Sequence, residues 1–215
     1  MVNYGELWGA EVKTDPYPYF SARGVLSPDD VGGAIADFPQ IDMGGLFLPE
    51  FAPYGRRFER LLEELDGPQL RAIVEEKLGL DLAGRPTMIT LRSNCQPKDG
   101  RIHADATFKL ATVLLYLNED WANQGGRLRV LRGGEDIEDY AAEVPPEGGL
   151  VFCFKVQPNS WHGHKPFVGP RRYVMVNYCA DQGSRDREVA RHRWSNRAKR
   201  FKRLFGIGQI GAAAA

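Results

Sequence analysis

Cysteine is scarce, with three in 215 residues. Cys95, Cys153 and Cys179 are odd in number and too scattered for a zinc site, and two of them sit in apolar runs. They read as buried free thiols in a reducing cytoplasm, which excludes a disulfide-stapled scaffold. Long hydrophobic runs are absent too. No stretch approaches the ~18 consecutive apolar residues of a membrane span. The opening "MVNYGELWGAEVKTDPYPYF" carries Glu6, Glu11, Lys13 and Asp15 and no apolar core, so no ordinary secretory signal is expected there. A cytoplasmic location is the expectation. Repeats are lacking, and low complexity is confined to the final "GAAAA".

Neither sign of charge is in surplus, at 28 basic and 28 acidic residues. The balance hides an asymmetry. Residues 185–203 hold nine Lys/Arg against two Asp/Glu, a net of +7, which leaves −7 on the remainder. The expected organisation is therefore a domain over 1–184 followed by a basic C-terminal helix and tail over 185–215. Ala190, Trp194, Ala198, Phe201 and Phe205 recur there at helical spacing. We expect these aromatics to pack on the acidic domain, with a possible peripheral contact of 185–205 with an anionic membrane. No specific nucleic-acid partner is expected.

Helix signals come early in the chain. "LSPDDVGGAIADFP" places Ser27 before a helix, Pro28 at its first position, and Asp29 and Asp30 at its positive end. "YGRRFERLLEELDG" and "GPQLRAIVEEKLG" carry apolar residues at helical spacing and close on Gly. From residue 86 the pattern changes to short β-branched and aromatic runs: "TMITLRSN", "KLATVLLYLN", "GRLRVL", "GGLVFCFK" and "RRYVMVNYC". Helices first and strands later predict an α+β fold. Short strands in this number need two facing sheets or a barrel, and a jelly roll is one solution.

Chemistry enters with "RIHADATFKL". His103 and Asp105 are two apart at the entry to a strand, so their side chains share a face. The third ligand of a metal site has to come from another strand, and "SWHGHKPFVGPRR" offers His162 and His164. Two His and one carboxylate on one side of an octahedral ion form the facial triad of non-haem Fe(II) oxygenases. An isolated HxD pair is more often a loop cap, and two isolated histidines are more often surface groups.

The surroundings change that balance. "HADATFKLATVLLYLNEDWANQGGRLRVL", over residues 103–131, resembles the iron(II)- and 2-oxoglutarate-dependent dioxygenase superfamily, in particular its prolyl-hydroxylase-like branch. "PPEGGLVFCF" resembles the strand before that family's distal histidine, and "SWHGHKPFVGPRR" resembles its "S.H.V.PV..G.R". The resemblance spans roughly residues 15–180. It implies a double-stranded β-helix (jelly-roll) core with N-terminal helices packed on one sheet. It implies His103, Asp105 and His162 as iron ligands, with His164 a neighbour. Counting ten residues from His162 implies Arg172 for the distal carboxylate of 2-oxoglutarate. Alternation along a strand turns only one of Arg171 and Arg172 inward, and Arg171 is the alternative. Asn94 falls where the family often has a Tyr that touches the cosubstrate, and it is carried as a second contact.

The implied activity is hydroxylation of an unactivated C–H of a small-molecule or peptidyl substrate, with Fe(II) as metal, 2-oxoglutarate as cosubstrate and ascorbate as a possible stimulant. Asp105 argues for hydroxylation, since the family's halogenases carry a small residue at that position. Arg92, Arg127, Arg129 and Trp161 are candidate pocket residues. The competing function class is a non-catalytic jelly-roll module that binds metal or 2-oxoglutarate for sensing or scaffolding. A cupin-type site is a third class, but "HGHKPFVGP" lacks the Glu it needs.

Overall fold

The computed structural model describes the backbone of residues 1–204 and the side chains up to Phe201. Helices α1 (Tyr4–Gly9), α2 (Pro28–Ala36), α3 (Arg56–Leu65) and α4 (Pro68–Leu78) occupy the first third, with strand β1 (Tyr19–Ala22) between the first two. Strands β2 (Thr87–Cys95), β3 (Lys109–Tyr116), β4 (Leu128–Leu131), β5 (Tyr140–Val144), β6 (Val151–Lys155), β7 (His162–His164) and β8 (Gly169–Cys179) follow, and α5 (Gln182–Leu204) closes the described chain.

The strands form two antiparallel sheets. One has five strands in the order β1-β6-β3-β8-β2, and the other has three in the order β5-β4-β7. The larger sheet is covered on both faces, so its strands are apolar almost throughout. Alternation sorts the residues between two cores. Val113, Leu115, Val151, Cys153, Val174 and Val176 pack against Phe58, Leu61, Leu65, Ile73 and Val74 of the helices. Their neighbours Leu114, Tyr116, Phe152, Phe154, Tyr173 and Met175 meet Leu128, Val130 and Val144 of the small sheet. The expected helices and the five expected strands are all present. The chain has a mixed architecture of helices and antiparallel sheets, with helices on one face of the larger sheet.

Caps act as the sequence indicates. Ser27 Oγ accepts from the Asp30 amide at 3.2 Å, and α4 ends on left-handed Gly79 with φ of 58°. At α5, Asp181 Oδ1 accepts from the Ser184 amide at 2.8 Å, so the helix starts at Gln182 and the boundary drawn at 184/185 falls inside its first turn.

Helix α5 docks on the domain, but through another face than expected. Val189 joins Leu48, Met88 and Cys179 in a small apolar cluster. Asn196 is buried, accepts from the Leu48 amide at 3.2 Å and donates to the Leu46 carbonyl at 2.9 Å. Trp194 is 75% exposed and Phe201 58% exposed. The expectation that these two aromatics pack inward is corrected: at 100° per residue, Val189, His192 and Asn196 lie opposite Trp194. Phe205 lies outside the described residues. No described helix is long and apolar enough to cross a membrane.

Candidate metal centre and cosubstrate pocket

A backbone pair brings the first two ligand candidates together. His103 precedes β3 in a loop, yet its amide donates to the His162 carbonyl at 3.0 Å and its carbonyl accepts from the His162 amide at 2.9 Å. That isolated antiparallel bridge sets the two imidazoles with ring centroids 4.3 Å apart. The donor atoms of His103, Asp105 and His162 all lie within 4.8 Å of one another.

Hydrogen bonds prepare each donor. His162 Nδ1 lies 2.9 Å from the Ser160 carbonyl and His103 Nδ1 lies 2.9 Å from the Arg101 carbonyl. A carbonyl only accepts, so each Nδ1 carries a hydrogen and Nε2 is the ring nitrogen left to face a cation. Burial pushes the His162 pKa down to about 4, against the pull of Asp105, so the ring is neutral at pH 7.

Asp105 has two unlike oxygens. Oδ2 accepts from Thr112 Oγ1 at 2.6 Å and lies 3.2 Å from Lys109 Nζ, while Oδ1 faces His103 Nε2 at 3.8 Å. Burial acts to raise the Asp105 pKa, but Lys109, His162 and the Thr112 hydrogen bond outweigh it and hold the pKa below the ordinary value. Asn177 Nδ2 donates to Thr112 Oγ1 at 2.8 Å, so the hydroxyl is fixed from behind and points its own hydrogen at Asp105. The donor set of two imidazoles and one carboxylate fits a divalent ion such as Fe(II), with Oδ2 held by protein and Oδ1 left for metal.

These side chains line a cavity of about 250 Å³. Arg171 lines it too. It is 3% exposed, donates from Nε to the Gly126 carbonyl at 2.7 Å, and lies 5.3 Å from the ring centroids of both Tyr116 and Tyr173. Its Nη2 is buried with no hydrogen-bond partner. A buried, unpaired guanidinium nitrogen is costly, and a carboxylate is the partner its geometry suits. The residues present thus fit both a metal ion and a dicarboxylate in one cavity.

Arg172 and Asn94 lie elsewhere. Both line a separate cleft of about 320 Å³ with Phe38, Ile41 and Ser93. Asn94 Nδ2 is taken by the Ile41 carbonyl at 3.0 Å. The structure does not bring Arg172 and Asn94 into the cavity of the His-Asp-His cluster. The reason is register: Arg171, Tyr173 and Met175 turn to the cavity, and Arg172, Val174 and Val176 turn the other way. In "S.H.V.PV..G.R" the Gly stands eight residues after the His, but Gly169 stands seven after His162, so the loop is one residue shorter. Counting from Gly169 rather than from His162 leads to Arg171.

His164 lines the same cavity but is outside the three-residue donor cluster. Its Nδ1 lies 2.8 Å from the Lys165 carbonyl, and burial followed by the charge of Arg171 pushes its pKa down to about 4. Gly100, at φ of +85°, lies against the His164 ring, which a Cβ there would strike. Of the candidate pocket residues, Arg92 lines the cavity, with Nη1 2.6 Å from Asp99 and Nε donating to the Tyr173 hydroxyl at 2.9 Å. Arg129 is spent on Glu138 and Glu143, Arg127 pairs with Glu143, and Trp161 packs against Gly134. Sequence reasoning missed Lys109, Thr112 and the α5 residues Glu188, Arg191 and His192, all of which line the cavity. Lys109 and Thr112 had a signal: they sit on the strand that Asp105 leads into.

Comparisons place this geometry among known proteins. Residues 92–180 match the model of the 2OG-Fe(II) oxygenase superfamily. No curated protein matches the chain in sequence. Among solved structures, a prolyl-4-hydroxylase from Pseudomonas putida is similar with a TM-score of 0.54 at 20% identity, over 76% of this chain and 92% of that one. A viral collagen prolyl hydroxylase of Paramecium Bursaria Chlorella virus-1, in its 2OG complex, gives 0.55 at 15% identity over 79% and 99%. HygX from Streptomyces hygroscopicus, with nickel and 2-oxoglutarate bound, gives 0.53 at 14% over 76% and 82%. These likenesses concern the fold. The matched segment 92–180, less than half of the chain, is similar to the 2OG-Fe(II) oxygenase superfamily and contains all three residues of the His-Asp-His cluster.

Proposed function

We propose that the protein hydroxylates an unactivated C–H of a small-molecule or peptidyl substrate, on a double-stranded β-helix core, using Fe(II) and 2-oxoglutarate. The observation that carries the reading is the orphaned Nη2 of buried Arg171 in the cavity that also holds His103, Asp105 and His162. The similarity of residues 92–180 to the 2OG-Fe(II) oxygenase superfamily supports the choice of metal and cosubstrate.

Bound iron supplies the activation of dioxygen that couples decarboxylation of 2-oxoglutarate, to succinate and CO2, with oxidation of the substrate. The chain's own residues do the rest. His103 and His162 present their Nε2 atoms, each ring oriented by a backbone carbonyl at Nδ1. Asp105 offers Oδ1, while Thr112 and Lys109 hold its other oxygen and keep the carboxylate from rotating. Arg171 anchors the distal carboxylate, with Tyr116 and Tyr173 flanking its guanidinium so that it stays in one plane. Leu114, Leu128, Phe154 and Met175 exclude water from the cavity floor.

The test is conversion of 2-oxoglutarate to succinate by protein supplied with Fe(II), ascorbate and O2, which oxygenases of this kind perform slowly without their substrate. Succinate formation that Asp105→Ala abolishes is the expected result. Tight binding of metal and 2-oxoglutarate with no succinate under any substrate panel would leave the sensing module as the function.

A further inference from the structure

We infer that the outward face of α5 is a docking surface for an anionic lipid bilayer, with Trp194 at its crest. The helix has 23 residues and uses only one face to hold the domain. On the other face Ala190, Trp194 and Phe201 fall on one line, and all three are exposed. Arg187 and Arg191 lie to one side of that line, Arg193 and Arg197 to the other, and all four are exposed.

Charge on this face is only partly spent internally. Both acidic residues of the segment are neutralised by their neighbours, Asp186 by Arg185 at 3.0 Å and Glu188 by Arg191. Arg193 pairs with Glu50 at 3.0 Å. Among the described residues, Arg197 and Arg200 form no ion pair, while Arg187 donates to the Ser184 hydroxyl at 2.8 Å and acts on the nearby Asp181 carboxylate. The positive excess therefore faces solvent, while the rest of the chain carries −7. An anionic surface attracts α5 and repels the remainder, which fixes the orientation of the whole molecule.

Charge alone suits any polyanion, and the aromatic crest decides between them. Trp194 stands out from a ridge flanked by small Ala190, so it has no pocket of its own to fill. A ridge sinks readily into a deformable surface. Indole settles at the headgroup level, and arginine stems lie along the acyl boundary while their guanidinium groups reach the phosphates. Phosphates of a nucleic acid would engage the arginines but leave the crest in water. The inner side of the same helix lines the oxygenase cavity through Glu188 and His192. Docking thus seats the cavity wall beside the lipid headgroups.

The experiment is co-sedimentation of the full-length, iron-loaded protein with phosphatidylcholine vesicles, with and without phosphatidylglycerol. We expect binding only to vesicles containing phosphatidylglycerol, lost in high salt. Arg187→Gln and Arg197→Gln should each weaken it about fivefold. Trp194→Ser should weaken it at least as much, with an unchanged circular dichroism spectrum. Equal binding to neutral vesicles, or no binding to either, would overturn the proposal. So would undiminished binding by Trp194→Ser, or tighter binding to a double-stranded oligonucleotide or to polyglutamate in the same buffer. The assay reads no turnover, so its failure leaves the oxygenase reading untouched.

Discussion

Arg171 and Arg172 are adjacent on β8 and line different cavities: the first shares one with the His-Asp-His cluster, the second shares one with Asn94. Arg171→Ala removes a buried charged donor whose Nη2 has no protein partner. We expect 2-oxoglutarate affinity to fall about 100-fold, the scale of a lost charge-assisted pair, with iron content retained. Arg172→Ala should leave that affinity unchanged. Titration calorimetry with 2-oxoglutarate and Mn(II) under argon checks both, and loss in Arg172→Ala alone would reverse the assignment.

His162 and His164 lie two apart on β7, both buried, yet only His162 belongs to the donor cluster. His162→Ala is expected to abolish stoichiometric iron binding. His164→Ala is expected to retain it, since the backbone bridge to His103 involves His162 alone. Iron content after reconstitution and gel filtration reads the difference.

Thr112 holds the oxygen of Asp105 that faces away from the metal position. Thr112→Val keeps the shape and removes the hydroxyl. Asp105 loses a donor, and Asn177 Nδ2 loses its acceptor. Iron affinity should drop by about 10- to 100-fold, the usual cost of losing an outer partner of a metal ligand, and Thr112→Ser should restore it. Equal losses in both variants would point to packing rather than to the hydrogen bond.

Asn196 satisfies two backbone groups of the loop that β2 packs against, the Leu48 amide and the Leu46 carbonyl. Asn196→Ala strands the buried Leu48 amide and the half-buried Leu46 carbonyl, at a cost of about 2 kcal/mol. The urea midpoint should fall accordingly, and limited proteolysis should cut nearer the start of α5. An unchanged midpoint would mean that α5 contributes little to the folded state.

Much of this molecule is legible in its sequence because the signals are local. Apolar spacing in "RRFERLLEEL" and alternation in "KLATVLLY" each name an element without help from the rest of the chain. His103 and Asp105 are legible for the same reason: they stand two apart in one segment. What was not legible depends on long-range pairing. Strand β7 has three residues, too few for a periodic pattern, and exists because β4 pairs with it and His103 bridges to it. Strand β1 is short and partly polar, and it is held by β6. The choice between Arg171 and Arg172 turned on one residue of loop length between Pro166 and Gly169. The inward face of α5 is set by Val189 and Asn196, which are less conspicuous in the sequence than Trp194 and Phe201.

His164 gives the protein a defined acid sensitivity. Burial, then the charge of Arg171, depresses its folded-state pKa to about 4, whereas an exposed histidine titrates near 6.5. Above about pH 6.5 the ring is neutral in both folded and unfolded chains, and pH has no leverage through it. As pH falls below that value, the unfolded chain takes up a proton that the folded chain refuses. Stability is therefore lost progressively from about pH 6.5 down to about 4, at up to about 1.4 kcal/mol per pH unit for this one group. His164→Gln cannot take up the proton in either state. Urea midpoints of the two proteins, followed from about pH 7.5 to about 5, should converge or cross as acid is added, because only the wild type carries this term. Parallel pH profiles would show that His164 titrates normally and that Arg171 does not press on it.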